Sequence, residues 1–249
     1  MGRVGSGWRR HTPDLSSRSC DISLTTPGPL GKPVQAVDRR LRFSGWLKEF
    51  EKRGGQLVTK TVTYDDLEPL AESHDLVVIA TGKGDITYRL FERDAERSLY
   101  DEPPRNLAMV TVTNTKPWSD VAFHPIRFTF IAAVCELFWV PLFDKSQLPS
   151  YSVAFDAKCG GPMDRFVGQV KSGQEVVETA KNVIRDLVPW DYEQVKDATL
   201  NDELAWLTGE FPPTEGKPVG RRSSGKMVMA LGDRVITYDP ITAHGANSA

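Results

Sequence analysis

The residues with the clearest chemical potential lie near the C-terminal end of this chain. Met229-Ala230-Leu231-Gly232-Asp233 closes an apolar run on a glycine and an acid. Five residues later Asp239-Pro240-Ile241-Thr242-Ala243-His244-Gly245-Ala246-Asn247 follows. In open α/β sheets, ligands sit just beyond the carboxyl ends of strands. A glycine there lets the backbone come close to a bound molecule, and an ionised aspartate accepts hydrogen bonds from sugar-like hydroxyls. Gly-Asp alone is a common surface turn; the longer pattern of Leu-Gly-Asp, Asp-Pro and Gly-Ala-Asn at these spacings is far more specific. A second apolar run, Leu76 to Ala80, ends in Thr81-Gly82 and puts that glycine in the same kind of place. Arg40, between Arg39 and Leu41, reads either as a solvated first-turn arginine or as a cation for an anionic group.

Other side chains suggest a pocket more than a catalyst. Phe128, Phe130, Phe138, Trp139 and Phe143 could line an apolar site, although packing between two sheets is the plainer role. Strand alternation sends Phe128 and Phe130 to one face, and Phe138 to the face opposite Trp139. Glu136, inside that apolar run, either points to solvent or meets a polar group near the pocket. His244 stands alone in a loop, as a solvated or structural histidine does. No Ser-His-Asp or paired-carboxylate signature is present, and no CxxC or histidine cluster suggests a metal. No residue is assigned a catalytic role.

The elements that would position these residues follow from periodicity. Asp38 is a plausible N-cap for a helix with Phe43, Trp46, Leu47 and Phe50 on one face, stopped by Gly54-Gly55. Residues 56–62 alternate like a strand, 65–73 read as a connector, and 76–80 as a strand buried on both faces. Segments 108–113, 125–133, 136–143 and 151–156 are β-branched and aromatic, separated by turn residues, and form an antiparallel sheet. Residues 174–187 make a helix with Val176, Val177, Ala180, Val183, Ile184 and Leu187 on its apolar face, ended by Pro189. Further strands are expected at 202–208, 216–222 and 226–231. Residues 1–33, rich in Gly, Ser, Arg and Pro, read as a disordered arm.

Bulk properties narrow the classes. The 249 residues suffice for a real core, and 40% hydrophobic with 26% charged residues is ordinary for a globular protein. A net charge of −2 gives no general attraction to nucleic acid or anionic membrane. Three scattered cysteines point to reduced thiols and a cytoplasmic setting. The apolar stretch 128–143 is too short and interrupted to span a bilayer.

The C-terminal motif resembles the second FAD-binding motif of the oxygenase-component family of styrene monooxygenases. Ala36-Val37-Asp38-Arg39-Arg40-Leu41, Gly54-Gly55, and Asp75 through Gly82 follow that family in order and spacing. So do Leu90-Phe91-Glu92-Arg93-Asp94, Pro103-Pro104-Arg105 and Cys135 through Pro141, the likeness running from about Asp21 to Ala249. The resemblance implies an α/β fold. It would pair a partial Rossmann-like FAD-binding layer, of the three-layer flavoprotein-hydroxylase type, with an inserted antiparallel substrate sheet. Residues 34–106 and 217–249 would form the FAD-binding part and 107–216 the substrate-binding part. It implies that Asp233, next to Gly232, binds a ribityl hydroxyl of FAD. The loop from Asp239 and Pro240 to Gly245 and Asn247 would pass beside the isoalloxazine. Thr81 and Gly82 would let the backbone approach, and Arg40 would pair with an anionic flavin or pyrophosphate. The family often has Gln where His244 stands.

By the same resemblance, reduced flavin reacts with dioxygen at C4a and passes one oxygen to a small aromatic alkene or indole-like molecule, giving an epoxide. A separate NADH-dependent flavin reductase supplies the reduced FAD, so no nicotinamide site is required in this chain. The family opens with a βαβ unit carrying GxGxxG, which holds the pyrophosphate; this sequence has no such unit. It also ends at Ala249, where a helix would begin. The expectation is therefore a family member lacking both elements, with sheet edges that favour association, for instance as a homodimer. The alternative is a non-catalytic, ligand-binding form that does not hold FAD tightly.

Overall fold

The computed structural model describes residues 36–82, 85–117, 126–131, 134–145 and 149–241. The arm 1–33, Pro125, Ala133 and the tail bearing His244, Gly245 and Asn247 lie outside the described residues. The fold is mixed α and β.

A seven-stranded sheet dominates. Strand β1 is Ala36–Val37, β3 Arg105–Thr113, β4 Arg127–Ile131, β5 Cys135–Phe143, β6 Pro149–Lys158, β7 Thr199–Leu200 and β8 Trp206–Glu210. Their order is β1-β5-β6-β3-β7, with β4 also on β5 and β8 also on β3. All pairs are antiparallel except β1 with β5. The expected antiparallel succession is present. Strand alternation sends Leu137, Trp139, Tyr151, Val153, Phe155, Ala108, Val110 and Val112 to one face, where all are buried. Helix α4 (Gly173–Leu187) covers that face with Val176, Val177, Ala180, Val183 and Ile184. Ser172 caps it by accepting from the Glu175 backbone N–H. Each such fully buried aliphatic side chain contributes about 1.5–3 kcal/mol. The core is thus helix on sheet, not the sheet-on-sheet packing expected for the aromatic residues.

A smaller unit is built on a three-stranded sheet, β10 (Val219–Arg221), β11 (Met227–Ala230) and β2 (Val78–Ile79). Strands β11 and β2 are parallel, Met229 facing Val78 and Ala230 facing Ile79. Its inner face (Ile79, Val228, Ala230) packs on Leu67 and Ala71 of α2 (Leu67–Ser73) and on Leu90 and Phe91, which end and follow α3 (Asp85–Leu90). Gly220 is required here, because a Cβ would lie 2.7 Å from the Leu90 side chain. The outer face carries Val78, Val219 and Met229 in one exposed row. The 76–80 segment is therefore buried on one face, not both.

Other expectations are corrected. Residues 56–62 form no strand: among the described residues nothing pairs with them, and Leu57 and Val58 stay exposed. Residues 65–73 are not merely a connector but contain α2; Pro69 falls in its first turn, where a missing N–H costs nothing. The strand expected at 202–208 begins only at Trp206, because the Asp202 carboxylate accepts from the Leu204 N–H and holds a turn. Helix α1 (Arg39–Lys52) is capped by Asp38 as expected, and Gly54 adopts φ +91° at its end. Its aromatic face, however, is not buried: Phe43, Trp46, Leu47 and Phe50 are all exposed.

Candidate functional site

Two of the sequence-derived positions converge. Thr81-Gly82 follows β2, and Gly232-Asp233 follows β11; these strands are adjacent and parallel, so both turns stand at the same carboxyl edge. The Leu231 N–H donates to the Ile79 carbonyl at 3.0 Å and continues the ladder to that edge. Gly82 (φ +62°) and Gly232 (φ +71°) both adopt the left-handed conformation that only glycine holds without strain. Among the described residues, nothing lies within 4 Å of where a Cβ would stand at either one. The edge is thus open to backbone approach at two neighbouring points.

Asp233 is exposed in a short 3₁₀ turn (Gly232–Arg234) and lines a cleft of about 330 Å³. Tyr88, Tyr100, Phe211, Arg93 and Arg234 form the other walls. Strands β9 (Thr214–Glu215) and β12 (Ile236–Thr237), paired antiparallel, frame it.

Asp239 and Pro240 follow β12 and connect to the large sheet. The Arg105 Nε, at the start of β3, donates to Asp239 Oδ1 at 2.8 Å, and that oxygen also accepts from the Ile241 N–H. This pair anchors the root of the C-terminal loop to the sheet face opposite α4. On that face Glu136 and Asp156 are direct cross-strand partners, each 1% exposed. Among the described residues, neither Asp156 oxygen has a hydrogen-bond partner. Burial pushes its carboxyl up to about 7; Arg105 opposes the rise, while Glu136 and Asp239 add to it. Glu136 is therefore not directed to solvent. Among the described residues no acid, histidine and cysteine cluster is placed to hold a metal ion.

Phe138 shares this face, its ring edge-on to Phe128 at 4.9 Å; Phe128 and Phe130 are exposed. Trp139 lies on the opposite face beneath α4 and is wholly buried. The aromatic residues thus divide between the face opposite α4 and the core as alternation requires.

Arg40 stands elsewhere, beyond β1 at one edge of the large sheet. Its guanidinium is engaged by two carboxylates, Asp38 and Asp202, the latter at 2.8 Å. The hydrogen bond from Arg40 holds Asp202 down at about 2. To meet an anionic ligand, Arg40 must exchange these partners.

Sequence reading missed Arg105, Asp156 and Arg234. Asp156 was findable: in 151–157 the large apolar residues Tyr151, Val153 and Phe155 occupy odd positions, which sends Asp156 to the other face, where it meets Glu136 once the strands pair. Arg105 stood in the Pro103-Pro104-Arg105 segment that follows the family, but without a role; Arg234 carried no signal beyond its type.

Residues 82–194 match the family described as "Styrene monooxygenase A putative substrate binding domain". The chain is 27% identical over 228 residues to styrene monooxygenase StyA of Pseudomonas fluorescens, covering 89% of this chain and 54% of that protein. It is 26% identical over the same length to a StyA of another Pseudomonas. The chain thus spans about half the length of the curated relatives it matches. Among solved structures, the lanthipeptide-type tryptophan 5-halogenase MibH superposes with a TM-score of 0.47 at 16% identity, over 84% of this chain and 35% of that one. The flavin-dependent brominase Bmp2 gives 0.45 at 14%, over 70% and 39%. Among the described residues no helix is long and apolar enough to cross a membrane.

Proposed function

We propose that this chain, which is similar to the styrene monooxygenases over most of its length, is a member of that family and serves as the oxygenase component of a two-component, FAD-dependent monooxygenase. The observation that carries the reading is the pair of open glycine turns on adjacent parallel strands, with Asp233 at the mouth of a cleft beside them. These residues fit the flavin and ribityl portion of the cofactor. Gly82 and Gly232 leave room for close approach, with Thr81 beside them, and the Asp233 carboxylate accepts hydrogen bonds from ribityl hydroxyls. Asp239, held by Arg105, and Pro240 belong to the same proposed cofactor site, as do Gly245 and Asn247 by resemblance. Arg40 joins the site only by releasing Asp38 and Asp202 to an anionic group.

Reduced FAD, delivered by a separate NADH-dependent flavin reductase, would supply the activation of dioxygen. The chain's own work is binding, orientation and exclusion of water. We assign residues 34–106 and 217–249 to the FAD-binding part and 107–216 to the substrate-binding part. The substrate is a small aromatic alkene or indole-like molecule, epoxidised on the sheet face that carries Phe128 and Phe138. Asp156 and Glu136, buried in that face, give it a polar end that holds a proton near neutrality.

The test is quenching of FAD fluorescence by the purified protein, compared with Asp233→Ala. The expected result is binding weakened about tenfold or more, the loss of a charge-assisted hydrogen bond. Equal quenching by both proteins would remove Asp233 from the cofactor site.

A further inference from the structure

Among the described residues, Arg234 is a buried cation with no carboxylate partner. It is 5% exposed, and its one hydrogen bond among the described residues runs from Nη2 to the Phe91 carbonyl. Its Nε is buried with no hydrogen-bond partner among the described residues. No carboxylate pairs with it among the described residues; its nearest electrostatic support is the Tyr88 ring, whose centroid lies 4.9 Å from the guanidinium carbon. Burial lowers its pKa, opposed by the Tyr88 phenol and by no carboxylate among the described residues. Other partly or wholly buried arginines behave differently: Arg222 meets Glu68, Arg105 meets Asp239, and Arg127 meets Asp191. Buried guanidinium groups are costly unless paired, so an unpaired one marks either a stability defect or a site awaiting an anion.

Its surroundings favour the site. Arg234 lines the cleft of about 330 Å³ that Asp233 also lines. Gly216 makes room for it, since a Cβ there would lie 2.5 Å from the Arg234 carbonyl and 3.2 Å from its Nη2. Arg93 stands on the same cleft, oriented by Asp101 at 2.7 Å and by the Tyr100 carbonyl at 2.9 Å. Tyr88, Tyr100 and Phe211 supply aromatic walls. Consecutive residues therefore offer opposite recognition: Asp233 an acceptor for hydroxyls, Arg234 a donor for an anion.

We propose that this cleft binds the anionic group of an aromatic ligand, with Arg234 as its principal contact and Arg93 at the mouth. The combination of hydroxyl acceptor, guanidinium and aromatic walls matches a polyol phosphate joined to an aromatic ring. In the cofactor reading above, on which this inference rests, the anion is the phosphate of the flavin nucleotide. The same chemistry would also hold an aromatic phosphate or carboxylate unrelated to flavin.

Calorimetric titration of the purified protein with riboflavin, flavin mononucleotide, FAD and phenyl phosphate separates these cases. The expected result is flavin mononucleotide and FAD binding at least about tenfold tighter than riboflavin, which lacks the phosphate. Arg234→Met should erase that gap while leaving riboflavin affinity unchanged; Arg234→Lys, which keeps the charge, should retain part of it. Circular dichroism establishes that each variant is folded, and the wild-type gap stands as a test even if a variant is not. Riboflavin and its phosphate bound equally by wild type would overturn the anion site and leave the flavin reading intact. Phenyl phosphate bound in an Arg234-dependent way, with no flavin bound, would sink the cofactor reading and sustain the anion site. Binding of neither would overturn both.

Discussion

Helix α4 lays Val176, Val177, Ala180, Val183 and Ile184 against a sheet and buries every one; helix α1 carries Phe43, Trp46, Leu47 and Phe50 and leaves all four exposed. Both are well-capped helices with apolar residues at helical spacing. What differs is the surface offered to them. Beside α4, strands β3, β5 and β6 present a continuous apolar face under Trp139 and Phe155. Beside α1, β1 joins the large sheet by two residue pairs at its edge, and α1 contributes no buried side chain. Its aromatic rings meet each other instead, Phe43 and Trp46 at 5.6 Å, with Arg42 over both. The small sheet repeats the contrast within one element: its inner face is packed, and its outer row of Val78, Val219 and Met229 is not. Amphipathic spacing fixes the helix and its apolar side, whereas burial depends on what the rest of the chain brings to it.

The contrast can be broken by experiment. Trp139→Ala should cost about 3–5 kcal/mol in urea denaturation, the range for truncating a fully buried aromatic. A loss below about 1 kcal/mol would mean that the large sheet is not the centre of stability.

Asp156 tests the other face of the same sheet. Its carboxyl sits near 7 when folded and near 3.8 in its unperturbed state, so the native protein binds this proton more tightly than the unfolded chain. Its contribution to stability is full below about pH 4 and is lost as pH rises through about 7. Wild type should therefore lose about 2–3 kcal/mol from this group between pH 5 and pH 8. Asp156→Asn should flatten that part of the profile, and an unchanged slope in the variant would contradict the assignment.

Arg105→Gln removes the link between β3 and the C-terminal loop. A partly buried pair of this kind should cost about 1 kcal/mol, and limited proteolysis after residue 238 should accelerate; unaltered cleavage would show that Asp239 is held by something else. The smallest effect is expected at α1. Trp46→Ser should change stability by no more than about 0.5 kcal/mol, because Trp46 is 62% exposed. A loss comparable with that at Trp139 would erase the distinction between the two helices.

Much of the large sheet was legible in the sequence. Alternation located β3 through β6, and the 174–187 spacing located α4, because local periodicity and burial agree there. At 56–62 the alternation misled, since a strand exists only with a ladder partner. At 65–73 Pro69 concealed a helix that tolerates it in the first turn. The site was half legible. Gly82 and Gly232-Asp233 were each singled out as strand-end turns, but their adjacency depends on parallel pairing between segments about 150 residues apart, Val78 with Met229. Arg105 and Arg234 escaped because their significance lies in burial and partners, which no spacing along the chain encodes, whereas strand alternation could have placed Asp156 beside Glu136.

The grip of Arg105 on Asp239 has a thermodynamic corollary. The same guanidinium lowers the proton affinity of Asp156, so it answers to two acids on different elements. Any molecule that draws Asp239 aside releases positive charge toward Asp156 and expels a proton from it. By linkage, alkaline conditions must then strengthen that molecule's hold, and occupancy of the loop and ionisation of the sheet become two readings of one equilibrium.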